Sequence, residues 1–283
     1  MPTFVLLVRK HKEMEEPSAP VCEHSGVIYS HHLKDERITE QFTPEHGLCL
    51  ITSGALIVSG TSGTKHYHKG AIVFFKKNSL AKFMKSPAGS ESFGSITVVF
   101  DTALLKDFNT PRINESNAQI KTYEEVTKLE GDLSRMEVYF EGLFQYFKNP
   151  LSKELMELKT KEALMLLIQL DPNLKQTLFN FGQPGKIDLE LFMQKNFKFN
   201  VEMKRLAFLS GRSLASFKRD FKAIFNSSPY RWLHTRRLQE AHFQLKEQKR
   251  RPSDVYHEVG FETLAHFSYA FKQQYGISPS TLS

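Results

Sequence analysis

Two kinds of hydrophobic rhythm divide the chain. Up to about residue 105 the apolar positions fall in short β-branched or aromatic runs: Gly26 to Ser30, Leu48 to Ile51, Ala55 to Ser59, Lys65 to His68, Ala71 to Phe75 and Gly94 to Phe100. Gly, Ser, Pro and Asn punctuate these runs, which predicts closely spaced short strands in a small antiparallel sandwich or barrel. From about Tyr123 to Phe179 the rhythm turns helical. One stripe runs through Met136, Phe140, Leu143, Phe144 and Phe147, and another through Leu155, Leu158, Ala163, Leu164, Leu166, Leu167 and Leu170. Stripes at this spacing form the inner faces of packed helices, and the second is apolar enough to serve a dimer as well. Gly182-Gln-Pro-Gly185 then marks a boundary, and helical patterning resumes at Leu189.

In the last hundred residues the pattern repeats itself. Ser213 to Pro229 lies over Thr263 to Pro279 with seven of 17 pairs identical, among them Phe217/Phe267, Phe221/Phe271 and Lys222/Lys272. One supersecondary unit is therefore used twice. Each copy opens on a hydroxyl residue suited to cap a first turn, Ser213 or Thr263, and closes on a proline that cannot continue a helix. A shorter apolar-periodic segment precedes each, Met203 to Leu209 and Val255 to Val259, and a glycine follows, Gly211 or Gly260. Helix, glycine turn, capped second helix is the helix-turn-helix pattern. Any pair of short helices shares it, but two copies in one domain narrow the reading.

Charge narrows it further. Residues 184–283 hold 17 Lys and Arg against 9 Asp and Glu, net +8, while residues 1–183 hold 21 against 22, net −1. The formal charge of +7 thus sits entirely in the segment that carries the repeat, a footprint suited to phosphate backbones.

The C-terminal hundred residues resemble the DNA-binding domain of the AraC/XylS family of bacterial transcription regulators. The likeness rests on Leu206-Ala207, the capped helix to Pro229, Arg237-Leu238-x-x-Ala241, Val259-Gly260-Phe261, Phe267, Phe271-Lys272, Tyr275-Gly276 and Ser278-Pro279. It implies two helix-turn-helix modules joined by a helix of roughly Tyr230 to Lys246. Their recognition helices would lie about 34 Å apart, one turn of the duplex. Ser213, Ala215, Ser216, Lys218, Arg219 and Lys222 would meet DNA from the first module. Leu264, Ala265, His266, Ser268, Tyr269 and Lys272 would do so from the second. Arg219 suits a bidentate pair with a guanine edge, whereas the second set holds no Arg, Asn or Gln and would position more than it specifies. Tyr256 departs from the family pattern: it stands where a small alanine is usual, and implies a wider space between helices or an outward swing of the ring.

The stretch from Ile51 through Phe74 also resembles the cupin-type effector domain of AraC relatives. The segment from Leu189 and the helices before it resemble ExsA-like regulators, whose N-terminal domain answers to a protein partner. His66-x-His68 puts two imidazoles on one strand face, but no Glu follows at cupin spacing, and no metal, cofactor or catalytic residue is expected. Cys22 and Cys49 form no metal or redox motif and suggest reduced thiols. No apolar stretch approaches a membrane span, so a soluble, cytoplasmic bacterial protein is expected.

The expectation is an α+β two-domain chain: a cupin-like antiparallel β-barrel followed by helices, then an all-α domain with two helix-turn-helix modules. Its parts are an effector domain (1–110), a helical dimerisation or linker region (111–183) and a DNA-binding domain (184–283). The function expected is a sequence-specific regulator, an activator. Its partners would be double-stranded DNA, RNA polymerase, a second copy of itself, and an effector that is a small molecule or a protein. The rival class is a metal-dependent cupin enzyme carrying a DNA-binding domain.

Overall fold

The computed structural model describes residues 22–24 (backbone alone), 26–38, 41–90, 92–108, 122–146 and 151–282. They fall into two compact units, Met1–Gly182 and Gln183–Ser283. The fold class is the α+β two-domain arrangement that the hydrophobic rhythm predicts.

The N-terminal unit holds β1 (Cys22–His24), β2 (Val27–His32), β3 (Glu36–Ile38), β4 (Phe42–Thr43), β5 (His46–Ser53), β6 (Ala55–Gly60), β7 (Gly63–His68), β8 (Ile72–Phe75), β9 (Ser79–Leu80), β10 (Lys82–Ser86), β11 (Phe93–Phe100) and β12 (Val126–Lys128). All pairings are antiparallel. Six strands form one sheet in the order β1-β2-β11-β5-β8-β12, four form a second in the order β3-β10-β6-β7, and β4 pairs with β9. The helices are α1 (Thr102–Phe108), α2 (Ser134–Gln145), α3 (Lys153–Leu170) and α4 (Leu174–Leu178).

Strand periodicity explains why the six-stranded sheet reads as continuous apolar runs. Successive side chains point to opposite faces, and here both faces are covered. In β8, Val73 and Phe75 join a core with Cys49, Ile51, Leu56 and Phe93. Ile72 and Phe74 join another with Leu48, Ile96 and the helical residues Phe140, Met156, Leu164 and Leu167. The Tyr29 hydroxyl donates to the Leu143 carbonyl (2.7 Å), and the Tyr139 hydroxyl donates to that of Lys159 (2.9 Å). These bonds tie sheet to α2 and α2 to α3. By contrast β7 buries only Tyr67 and leaves His66 and His68 exposed. Cys49 is a free, buried thiol, pushed by burial to a pKa of about 11.

The helical stripes divide on inspection. Met156, Ala163, Leu164 and Leu167 of α3 are buried against the sheet, while Leu155, Leu158 and Met165 stay exposed, as do Val138 and Phe144 of α2. Phe147 lies outside the described residues.

The C-terminal unit is all-α: α5 (Leu189–Asn196), α6 (Met203–Leu209), α7 (Leu214–Phe225), α8 (Pro229–Lys246), α9 (Pro252–Glu258), α10 (Leu264–Tyr275) and a final 3₁₀ turn, Pro279–Thr281. The prolines act differently from the simple stop expected of them. Asn226 and Gly276, both left-handed, end α7 and α10. Pro229 instead opens α8 behind the Ser228 cap, and Pro279 opens the 3₁₀ turn. A proline at the first helical position forfeits no hydrogen bond, because its amide would be unpaired there anyway. Leu238, Ala241 and Leu245 of α8 pack with Val255, Val259, Phe261, Phe267 and Phe271, and Tyr256 is half-buried at the margin of that cluster.

Candidate nucleic-acid interface

Each module is built from the turn outward. In the first, α6 ends at Leu209 and the chain reverses through Ser210-Gly211-Arg212 into the Ser213 cap. Gly211 has φ +70°, and a Cβ there would stand 2.2 Å from the Gly185 carbonyl oxygen. No other residue fits. The Ser213 hydroxyl accepts from the Ser216 amide (3.2 Å), and Phe217 and Phe221 are fully buried beneath α7. Phe225 and Trp232 extend this aromatic core, their ring centroids 4.8 Å apart.

The same logic builds the second module. The Thr263 hydroxyl accepts from the His266 amide (3.2 Å), and Phe267 and Phe271 take the buried places. Gly260 has φ +100°, with the Lys198 carbonyl oxygen and Arg237 Nε each 2.8 Å from where a Cβ would stand.

With the aromatic faces inward, the remaining faces look out. Ser213, Ala215, Lys218, Arg219 and Lys222 are exposed on α7 and its cap, and Ser216 is half-buried. On α10, Leu264, Ala265, His266, Tyr269 and Lys272 are exposed and Ser268 is half-buried. The Arg219 side chain is 76% exposed and contacts Ser216 Oγ (3.2 Å) and Asp220 Oδ1 (3.3 Å). Asp220 does not depend on it. Arg212 Nε (3.1 Å) and Lys186 Nζ (3.2 Å) already hold that carboxylate, and Arg212 first, then Lys186, keep its pKa below the ordinary range. Arg219 is therefore free to exchange a screened surface contact for another partner. The two faces differ chemically: α7 presents three cations, and α10 presents an apolar and aromatic surface with Lys272. His266 rests edge-on against Phe261, ring centroids 5.5 Å apart.

Two arginines matter that sequence reasoning did not assign. Arg212 donates to the carbonyls of Ile187 (2.9 Å) and Ser210 (2.7 Å) as well as to Asp220, which fixes the first turn. Arg237 donates from α8 to Phe197 O (2.8 Å), Phe199 O (2.8 Å) and Gly260 O (3.0 Å). It joins the segment before the first module to the turn of the second. Burial lowers its pKa to about 10, still high enough to keep the guanidinium charged at neutral pH. Its partners are main-chain carbonyls, which leave no trace in a sequence, although Arg237 itself stands in the motif that carries the resemblance.

Comparison with known proteins fits this construction. Residues 206–283 match the helix-turn-helix domain family and residues 46–180 the ExsA N-terminal regulatory domain family. The chain thus combines a helix-turn-helix domain of the AraC type with an ExsA-type N-terminal regulatory domain. It is 23% identical over 243 residues to the HTH-type transcriptional regulator ExsA of Pseudomonas aeruginosa, covering 83% of this chain and 85% of that one. It is 28% identical over 131 residues to the thermoregulatory protein LcrF of Yersinia pestis, covering 44% of this chain and 47% of that one. Against the virulence regulon transcriptional activator VirF of Yersinia enterocolitica it is 27% identical over 128 residues, with 44% and 47% covered. The match spans about half the length of these last two relatives. Among the described residues no helix is long and apolar enough to cross a membrane, and no three His, Cys, Asp or Glu gather as a metal site.

Proposed function

We propose that this chain is a sequence-specific DNA-binding transcription regulator of the AraC/XylS family, and an activator. The observation that carries the reading is the pair of capped helices, α7 and α10, whose aromatic faces are buried and whose outer faces are exposed on a unit of net charge +8. A recognition helix presents its N-terminal residues to base edges while flanking cations hold phosphates. Ala215, Lys218 and Arg219 read bases in this account, with Arg219 on a guanine. Ser213, Ser216 and Lys222 fix the register of the first module, and Leu264, Ala265, His266, Ser268, Tyr269 and Lys272 seat the second.

The N-terminal part (1–110) is the effector domain, of cupin type, the region 111–183 dimerises, and 184–283 binds DNA. RNA polymerase is the further partner of an activator. Effector binding shifts a population between DNA-competent and incompetent states, which requires different affinity for the two. A second reading keeps the DNA-binding role and replaces the small ligand by a protein partner. The exposed Val138, Phe144, Leu158 and Met165, and the likeness to the ExsA regulatory domain, favour it. The relatives are transcriptional regulators, which favours either regulator reading over the enzyme one.

The test is selection of binding sites from random duplexes at two salt concentrations. Two enriched blocks about 10 base pairs apart, with affinity falling steeply with salt, are expected. Enrichment of no motif would overturn sequence-specific recognition.

A further inference from the structure

The two sheets of the N-terminal unit line a partly open cavity of about 100 Å³. Its walls are mostly apolar, with Ile28, Leu56, Phe75, Phe83 and Phe93 among them, and Ser30, Thr43, Ser95 and Thr97 supply hydroxyls. Into this lining β10 sends Lys85. A lysine is a costly choice for such a wall. Burial is the largest influence on its ammonium and lowers its pKa, against the opposing charge of Glu36. As a clip between sheets it would be replaceable, since an apolar side chain of similar volume usually stabilises as well or better.

Its surroundings show what the lysine is arranged to do. The ammonium donates to Ser30 Oγ (3.2 Å) and stands 3.1 Å from His32 Nε2, both on β2. His32 Nδ1 in turn lies 2.5 Å from Glu36 Oε2, which sets a carboxylate on the far side of the ring from the lysine. An ammonium has three donors, and these contacts use two. Among the described residues no carboxylate lies within ion-pair distance of it. The charge is thus balanced at one remove, through His32, and one N–H remains for the cavity beside Ser30 and Ser95.

Resting on the effector-domain reading above, we propose that Lys85 is the head-group site for a compact monocarboxylate whose small apolar body fills the rest of the cavity. One carboxylate suits one spare ammonium donor flanked by hydroxyls. A phosphate, with more charge and more acceptors, would find too few donors and apolar walls. A neutral solute would leave the lysine without purpose. Size sets the class more narrowly: an apolar cavity of roughly 150 Å³ takes a benzene, about six heavy atoms, so this one holds about four and leaves any further carbons at its open side. Butyrate and isobutyrate would seat the carboxylate and first carbons and bring their ends to the mouth, while a ten-carbon acid would leave most of its chain outside.

The test uses the full chain, titrated with sodium butyrate by calorimetry, with butyramide as the uncharged isostere and decanoate as the oversized acid. Butyrate is expected to bind about 10- to 100-fold more tightly than butyramide, the worth of one charge-assisted hydrogen bond, and decanoate to gain no affinity over butyrate from the cavity. Lys85→Met should fold, keep butyramide binding and lose that advantage, while Lys85→Arg should retain part of it. If Lys85→Met unfolds, Lys85→Gln makes the same comparison with the donors kept and the charge removed. Equal affinity for butyrate and butyramide, no butyrate binding at all, or full butyrate affinity in the charge-free variant would overturn the site. Operator selection on the same preparation separates the two levels of argument. Selected operators without butyrate binding would sink this site alone, and butyrate binding without operators would sink the regulator reading alone.

Discussion

Arg237 joins the segment before the first module to the turn of the second. Replacing it with Met keeps the length of the side chain and removes three hydrogen bonds to main-chain carbonyls, at 2.8, 2.8 and 3.0 Å. A hydrogen bond from a charged donor contributes about 1.5–3 kcal/mol, but the half-buried site lets water recover part of the loss. Leaving three main-chain carbonyls without their donor costs about 1–3 kcal/mol each before water reaches them, about 3–5 kcal/mol in all, a large share of the ~5–15 kcal/mol that holds a domain folded. Neighbours soften the effect only at the edges. Lys198 pairs with Glu240 (2.9 Å), and the Arg236 guanidinium lies 4.5 Å from the Phe197 ring centroid. The chain supplies its own probe, since its single tryptophan, Trp232, sits on α8 against Phe221 and Phe225 and so reports on the C-terminal unit alone. Urea unfolding followed by that fluorescence should show the midpoint of Arg237→Met lowered by about 2 M, taking a slope of roughly 1–3 kcal/mol/M. Affinity for a two-block operator should fall more than affinity for either block alone, because the guanidinium spans from Phe197 to the Gly260 turn. A midpoint within about 0.5 M of the parent, with two-block affinity unchanged, would refute the argument.

Arg219→Ala should relax sequence preference at one position of the first block by about 1–3 kcal/mol, whereas Lys222→Ala should weaken all sequences alike and lower the salt slope by about one; binding-site selection at two salts separates these effects. Gly211→Ala forces an L side chain into a left-handed conformation and against the Gly185 carbonyl, a loss of about 2–5 kcal/mol that Trp232 fluorescence would again register. His46 of β5 is buried against Phe74 and accepts from the Lys77 amide (3.1 Å), and burial, reinforced by Lys77, takes its pKa to about 3. Between about pH 6.5 and 3 the unfolded chain therefore binds a proton that the folded chain refuses, and stability drops by about 1.4 kcal/mol per unit of acidification. Burial raises the pKa of Glu45, which opposes part of that slope. Denaturation followed by far-UV circular dichroism, with His46→Gln as the flattened control, checks it.

What the chain made legible follows from periodicity. Every strand read from a run of β-branched or aromatic residues is present. The missed strands are those masked by charge or brevity. In β10, Lys82-Phe-Met-Lys-Ser86 reads as polar, although Phe83 and Lys85 both line the cavity. Strands β3, β4, β9 and β12 are two or three residues long, too short for an alternation to show. The repeat gave both modules and their caps because capping is local: a hydroxyl and the amide three residues on suffice. Arg212 and Arg237 escaped assignment for the opposite reason, since their partners are carbonyls that any sequence would supply. The stripe over α3 was ambiguous in principle. A helix offers one apolar signal for two faces, and only packing divides Leu164 and Leu167 from Leu158 and Met165.

The duplication also explains an asymmetry that a single module could not sustain. Both copies conserve between themselves what the fold needs: the cap, two buried phenylalanines and the glycine turn. They diverge on the face the fold leaves free, where Lys218 and Arg219 stand over Ser268 and Tyr269. On the proposed reading the donors able to discriminate bases lie on one copy, and the other offers a surface with little donor–acceptor information. A bolt such as Arg237 is what makes that division workable. A module that reads weakly contributes to specificity only if its position is fixed relative to the one that reads well. Exchanging the pairs, Lys218-Arg219 for Ser268-Tyr269, should then leave the buried cores intact and move the more strongly specified block to the other end of the operator. Selection of two equally specified blocks by the exchanged protein would show that the asymmetry lies elsewhere.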